Sequence, residues 1–263
     1  MLKGKLSQLR IKARSLFRRT FHVLLGALEI RRFKEHSFFG SLLPQEAVVA
    51  DFGAHRGEFF AALKSEYSVS RALLVEANPA LAGTLKETFG KESDVLHAAL
   101  VGGNNKDAVT FTRSTNPESS SIFKEWSAAY GVAERVEVPA VEFASLIREL
   151  GGRVDLVKFD IEGAEIGVLK EARASDLKSC GQLTVEFHDK RPPLTRRDVD
   201  AVCRRMRAEG YGIVTPNWPQ VDDVLFVNLK SMWTLKRIKF RCRVALANAL
   251  FVIRRRIFGS GYS

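Results

Sequence analysis

The chain has 263 residues, 46% hydrophobic and 27% charged, which is ordinary for one globular domain with a sizeable core. Its three cysteines, Cys180, Cys203 and Cys242, make no CxxC pair and no even-numbered framework, which excludes a disulfide scaffold and a cysteine-rich zinc site and fits a reducing cytoplasm. The net charge of +11 lies at the ends: residues 1–40 carry +8 and residues 230–263 carry +9, so residues 41–229 are left at −6.

Residues 1–40 mix Leu, Ile, Phe and Val with Arg and Lys, as in "LRIKARSLFRRTFHVLLGALEIRRFK". They read as a basic amphipathic helical extension, a pattern that lies well in an anionic headgroup region. The alternative is a helix packed on the core or on the similar C-terminal segment. Nucleic-acid tails need less apolar surface, so lipid is favoured over nucleic acid. No uncharged apolar run reaches the roughly 18–20 residues of a membrane span. "FHVLLGALEI" is short and lacks a following small-residue cleavage site, which makes it a poor signal peptide.

From residue 41 to 230 a single domain is expected. "VVADF" (48–52) reads as a buried strand that ends on an acid and runs into a loop holding Gly53 and Gly57, with a helix over 58–66. Strand patterns follow at 71–76, 94–97, 108–112, 155–160, 182–187, 211–214 and 224–228, and helical patterns at 79–89, 142–150, 164–172 and 196–209. This alternation predicts a doubly wound α/β fold with a mostly parallel sheet covered on both faces. The last two strands, joined by a Pro-interrupted loop, read as an antiparallel addition. Residues 113–135 break the rhythm and suggest a loop or lid, in which Trp126 and Tyr130, with Trp218 elsewhere, could stack on a sugar ring. Residues 231–263 repeat the basic amphipathic character as a C-terminal helical extension.

Ligands in open α/β sheets bind beyond the carboxyl ends of the strands. "DFGAHRG" is not the GxGxxG dinucleotide fingerprint, and Asp51 would repel a diphosphate while suiting a positively charged ligand such as S-adenosylmethionine (SAM). Glu76, ending the second strand, stands where an acid accepts hydrogen bonds from a ribose diol.

"VVADFGAHRGEFF", "LLVEANP", "HAALVGG", "VDLVKFDIEGAEIGVLK" and "LTVEFHD", in this order and spacing, resemble the FkbM-type family of SAM-dependent methyltransferases over residues 45–230. The resemblance implies a seven-stranded class I methyltransferase sheet, SAM as donor and O-methylation of a hydroxyl. It further implies cofactor contacts from Asp51, Gly53, His55 and Gly57 in the first loop, from Glu76 and Asn78 at the ribose, and from His97 and Ala98 beside the adenine. His55 stands where the family commonly has Asn, and Ala77 where Pro is common.

Asp160 and Glu162 follow the strand at 155–160, and Glu186 and His188 end the next, so neighbouring parallel strands would bring Asp160, Glu186 and His188 together. His188 is the expected general base, its ordinary pKa near 6.5 suiting proton abstraction at neutral pH, with Glu186 orienting it and Asp160 serving both catalysis and cofactor. The same group could hold a divalent metal, but the metal-free base is favoured. Lys158 reads as one half of a structural ion pair. The resulting expectation is O-methylation of a sugar in a glycan or glycolipid precursor at the cytoplasmic membrane face. Two alternatives stay open: methylation of a small secondary metabolite, with the basic ends serving dimerisation, and a non-catalytic module that binds membrane or RNA.

Overall fold

The computed structural model describes residues 23–24, 26–103, 107–114, 121–122, 132–189, 192–215 and 223–258. The chain enters through a hairpin of β1 (Ile30–Phe33) and β2 (His36–Phe39), followed by β3 (Ala47–Phe52), α1 (Glu58–Glu66), β4 (Val69–Glu76), α2 (Pro79–Phe89) and β5 (Asp94–His97). Three strands then leave the main sheet: β6 (Ala99–Val101), β7 (Ala108–Ser114) and β8 (Val132–Glu142). The second half runs α3 (Phe143–Glu149), β9 (Val154–Phe159), α4 (Glu165–Glu171), α5 (Ala174–Lys178), β10 (Cys180–Glu186), α6 (Arg196–Ala208), β11 (Tyr211–Val214), β12 (Asp223–Asn228) and α7 (Thr234–Phe258).

Seven strands form the central sheet in the order β11-β12-β10-β9-β3-β4-β5, and every pairing between β10 and β5 is parallel while β12 runs antiparallel to both neighbours. From β3 the chain winds outward to β5 and later returns to lay β9 on the other side of β3. The switch of direction therefore falls between β3 and β9, where a crevice opens beyond the strand ends. The strand expected at 108–112 belongs instead to a separate three-stranded sheet, β6-β8-β7.

Alternation along the strands divides the core in two. Phe52, Val157, Phe159, Leu183 and Phe226 face α3 to α6, while Val49, Leu156, Leu225 and Val227 face the hairpin and α7. Asp51, Lys158, Thr184 and Glu186 fall on this second face by the same alternation.

The expectation of a helix through residue 40 is corrected here, because residues 30–39 are a hairpin laid on the sheet rather than an extension. His36, Ser37, Phe38 and Phe39 are all buried. Polar contacts fix the docking: Phe39 N donates to Gln182 Oε1 at 2.8 Å, Gln182 Nε2 to Phe39 O at 3.1 Å and Ser37 Oγ to Asp223 Oδ2 at 3.1 Å. Gln182 thus meets the backbone polar groups that the buried ribbon would otherwise leave without partners. Residues 1–22 of the expected N-terminal helix lie outside the described residues.

Helix α7 buries Phe240, Val244, Ala247 and Phe251 on this face, a helical 4-3-4 spacing. Each buried Phe or Val contributes about 1.5–3 kcal/mol. Arg243 clasps Glu29 through both guanidinium nitrogens, at 2.6 and 3.1 Å. Asn248 accepts from Thr215 N at 3.0 Å and donates to Ile213 O at 2.7 Å, covering part of the edge of β11. The opposite side of α7 exposes Leu235, Ile238, Leu246 and Ile253. No helix among the described residues is long and apolar enough to cross a membrane.

Candidate active site

Beyond the ends of β3, β4, β9 and β10 lies a cavity of about 650 Å³. Its floor is the loop after β3. Gly53 has φ +75°, and a Cβ there would overlap the carbonyl of Asp160, so this position requires glycine. The amides of Gly53 and Ala54 donate to Val75 O at 2.9 and 3.1 Å, tying the loop to β4. Glu76 completes the tie: its two carboxylate oxygens accept the amides of His55 and Asn78, each at 2.8 Å. Burial raises the Glu76 pKa against these two amides, which favour the charged form. Asn78 caps α2 through Ala80 N at 3.1 Å, and His97 Nε2 lies 3.1 Å from Ala77 O.

Gly53, His55, Glu76, Asn78 and Ala98 line the cavity, whereas Asp51, Gly57 and His97 do not. Asp51 corrects the reading that an acid waits there for a cationic ligand. It is directly opposite Lys158 in the parallel pairing of β3 and β9, fully buried, with Lys158 Nζ at 3.1 Å. Lys158 also donates to Gly53 O at 2.8 Å and lies 3.6 Å from Asp160 Oδ2. Burial works to discharge this lysine, but the Asp51 and Asp160 carboxylates outweigh it and raise its pKa. The ion pair expected of Lys158 is present, and it consumes the charge of Asp51.

At the other end Asp160, Glu162, Glu186 and His188 converge from β9 and β10. His188 Nδ1 is 3.2 Å from Glu165 Oε1, and its Nε2 is 3.6 Å from Glu162 Oε2 and 3.9 Å from Asp160 Oδ1. Burial disfavours its charge, yet Glu165 and then Glu162 and Asp160 push the pKa up to about 10. Both ring nitrogens of His188 thus face carboxylates, an arrangement that favours the imidazolium over the neutral imidazole that a general base requires. Its orienting partner is Glu165 rather than Glu186. Burial and the neighbouring Asp160 charge push Glu186 up to about 8. Asp160 resists burial through Lys158 and His36 and stays well below the usual carboxylate range.

Two functional neighbours escape the sequence reading. Glu165, wholly buried, accepts the amides of Ile161 at 2.8 Å and Gly163 at 3.0 Å, shaping the loop in which Glu162 has φ 51°. Its signal was present in "KFDIEGAE". His36 reaches the cavity from the hairpin, its Nδ1 3.3 Å from Thr184 Oγ1 and its Nε2 3.8 Å from Asp160 Oδ2. Of the expected lid, Ser121 is described and donates from Oγ to Glu162 O at 2.6 Å. Trp126, Tyr130 and Trp218 lie outside the described residues.

A mostly parallel α/β sheet with this cavity at its switch point, floored by a glycine loop tied to an acid at the end of β4, defines a Rossmann-like domain of methyltransferase type. Residues 51–213 match the methyltransferase FkbM domain, and the chain belongs to that family. Among curated proteins it is 25% identical over 209 residues to the AMB antimetabolite synthetase AmbE of Pseudomonas aeruginosa, covering 66% of this chain and 10% of that protein. The chain thus spans about a tenth of the length of this relative. Among solved structures it is similar to the methyltransferase FkbM of Methylobacillus flagellatus KT, with 18% identity, TM-score 0.47 and coverage of 75% of this chain and 48% of that one. It is also similar to the magnesium protoporphyrin IX methyltransferase ChlM of Synechocystis PCC 6803 with bound SAM, with 13% identity, TM-score 0.35 and coverage of 83% and 79%.

Proposed function

We propose that the chain transfers a methyl group from SAM to a hydroxyl of a sugar, in a glycan or glycolipid precursor. The observation that supports this most directly is the unlike character of the two ends of one cavity. At the donor end, Glu76 is pinned by two amides and keeps lone pairs for a ribose diol, while Ala98, Leu100, Phe111 and Ile122 offer an apolar wall for a flat base. The residues fit the cofactor, which when bound would supply an electrophilic methyl on a sulfonium. Gly53 to His55 and Asn78 hold the donor end in place.

At the acceptor end, Asp160 and Glu162 present carboxylates that accept hydrogen bonds from hydroxyls and repel phosphates, and Glu186 adds a carboxyl that can accept or donate. A neutral polyol suits this lining and a nucleic acid does not. Alignment of the acceptor oxygen with the methyl carbon is the main contribution of the site. His188, as an imidazolium, donates and orients. Asp160 would accept the hydrogen bond of the acceptor hydroxyl and hold its oxygen toward the methyl group that bound SAM would supply.

The exposed Leu235, Ile238, Leu246 and Ile253 of α7, within a segment holding nine Lys/Arg and no acid, support contact with an anionic membrane surface on the cytoplasmic side. That placement agrees with a lipid-linked sugar. A small secondary metabolite is the second reading, favoured by the similarity to an antimetabolite synthetase. The test is titration calorimetry with SAM and with NAD, followed by transfer of labelled methyl to lipid-linked sugars and to small alcohols. SAM binding without NAD binding, and label in sugar, is expected. No SAM binding by folded protein would overturn the reading.

A further inference from the structure

We infer that His36, Asp160 and Glu186 form a site for one divalent transition cation, with positions left open toward the cavity. The three come from separate elements, the hairpin, the end of β9 and the end of β10, yet one ligand atom of each lies within 4.8 Å of the other two. His36 Nε2 and Asp160 Oδ2 face each other at 3.8 Å. That is too long for a hydrogen bond and within the separation of two ligands that each bind a central ion at about 2.0–2.2 Å.

The orientation of His36 is the independent observation. The residue is 2% exposed, and Thr184 Oγ1 holds its Nδ1 at 3.3 Å. In the tautomer with its proton on Nδ1, the Nε2 lone pair faces Asp160 Oδ2 across 3.8 Å, and a cation held between them would take the place of the His36–Asp160 attraction that otherwise helps to keep Asp160 charged. A metal-ligating histidine usually has its other ring nitrogen fixed by a hydrogen bond to a carboxylate, a backbone carbonyl or water, and the Thr184 hydroxyl takes that place here. Glu186 adds a carboxylate that makes no hydrogen bond or ion pair among the described residues. Asp160, Glu162, Glu165 and Glu186 crowd this end against Lys158, already paired with Asp51, and His188. A dication would balance that excess. One imidazole and two carboxylates suit Mn²⁺ and its neighbours better than Mg²⁺, which prefers oxygen alone. Asp160, Glu162 and His188 are a comparably compact set, but three carboxylates already surround His188 within 3.2–3.9 Å.

The role of the ion rests on the methyl-transfer reading and deepens it: Asp160 and Glu186 would act on the acceptor hydroxyl through the cation, which lowers its pKa so that the proton leaves to water. The site itself is tested without donor or acceptor. The chelator-treated 263-residue chain is titrated with Mn²⁺ and bound ion is read by electron paramagnetic resonance, while SAM binding is read separately by calorimetry. One equivalent of bound Mn²⁺ is expected. Glu186→Gln and His36→Ala should each weaken it by about 100-fold, and Thr184→Val by about 10-fold through loss of the ring's partner, with SAM affinity unchanged in Glu186→Gln and Thr184→Val. If the parent binds no Mn²⁺, or if the variants bind it as the parent does, the inference is overturned. SAM binding by a parent protein that binds no Mn²⁺ refutes the cation alone, whereas Mn²⁺ binding by a parent that binds no SAM refutes the donor reading.

Discussion

Replacing Lys158 by Met keeps the length of the side chain and removes its charge, leaving Asp51 fully buried without its counterion. At 3.1 Å the pair attracts by about 5 kcal/mol if the effective dielectric is about 20. Removing one partner of a buried pair costs about 3–5 kcal/mol, since the other charge must be discharged or left unpaired. Loss of the hydrogen bond to Gly53 O falls within the same figure. In a domain of this size about 4 kcal/mol lowers Tm by roughly 8–16 °C. Urea denaturation followed by circular dichroism and by tryptophan fluorescence measures the change, with coincident curves as the two-state check. Asp51→Asn combined with Lys158→Met should recover about 2 kcal/mol or more, because an apolar group opposite a neutral amide leaves no buried charge. A Lys158→Met variant within 1 kcal/mol of the parent, or a double variant no better than the single, would show that the pair does not hold β3 to β9.

Glu76→Gln should weaken SAM binding by about 10- to 100-fold, the loss of one or two charge-assisted hydrogen bonds, and calorimetry showing an unchanged Kd would remove Glu76 from the donor site. His188→Gln, which keeps a donor, should lower turnover by less than about 10-fold; a loss of 100-fold or more, as general bases give, would restore the base role. Glu29 is held at a pKa of about 2 by hydrogen bonds from Arg243 and Ser41. Its depressed value means a stabilising contribution present above the unfolded value near 4.5 and lost as pH falls toward 2. The parent should therefore lose more protection of α7 in hydrogen exchange than Glu29→Gln between pH 5 and 2.5, and equal losses would refute the clasp. Leu246→Glu with Ile253→Glu should reduce sedimentation with anionic liposomes at least fivefold while the melting curve holds. Binding that survives both changes would place the lipid contact elsewhere or dismiss it.

The βα alternation was plain in the sequence because β3, β4, β9 and β10 are short, largely apolar segments rich in Val and Leu, set between helical patterns. Helices at 58–66 and 79–89 coincide with α1 and α2, one entered through Gly57 and the other through Asn78 and Pro79. The hairpin was not legible. Both faces of β2 are covered, so its residues show no alternation, and its turn uses Lys34 at φ 54° where no glycine or asparagine announces it. Strand β8 was hidden by Pro139, which stands near its end opposite Ala108 and argues against a strand. In the site, residue types were readable but partners were not. Asp51 looked available because its neighbour across the sheet, Lys158, is more than a hundred positions away. His188 looked neutral because Glu165 reaches it only after the chain has turned through Glu162 and Gly163.

The docking of the hairpin has a consequence for how this scaffold can diversify. Ten residues, held to β10 and β12 by Gln182, Thr184 and Asp223, bring His36 to the end of the cavity where Asp160 lies. The same ribbon is part of the core, since Phe38 and Phe39 are fully buried, so any exchange must refill their places. Grafting a different one onto the same sheet would reset which alcohol is presented while the donor half stays as it is. A clone cut to residues 51–213, where the family match begins and ends, would discard the ribbon together with the first four residues of β3 and all of β12, and so would break the central sheet as well as remove His36.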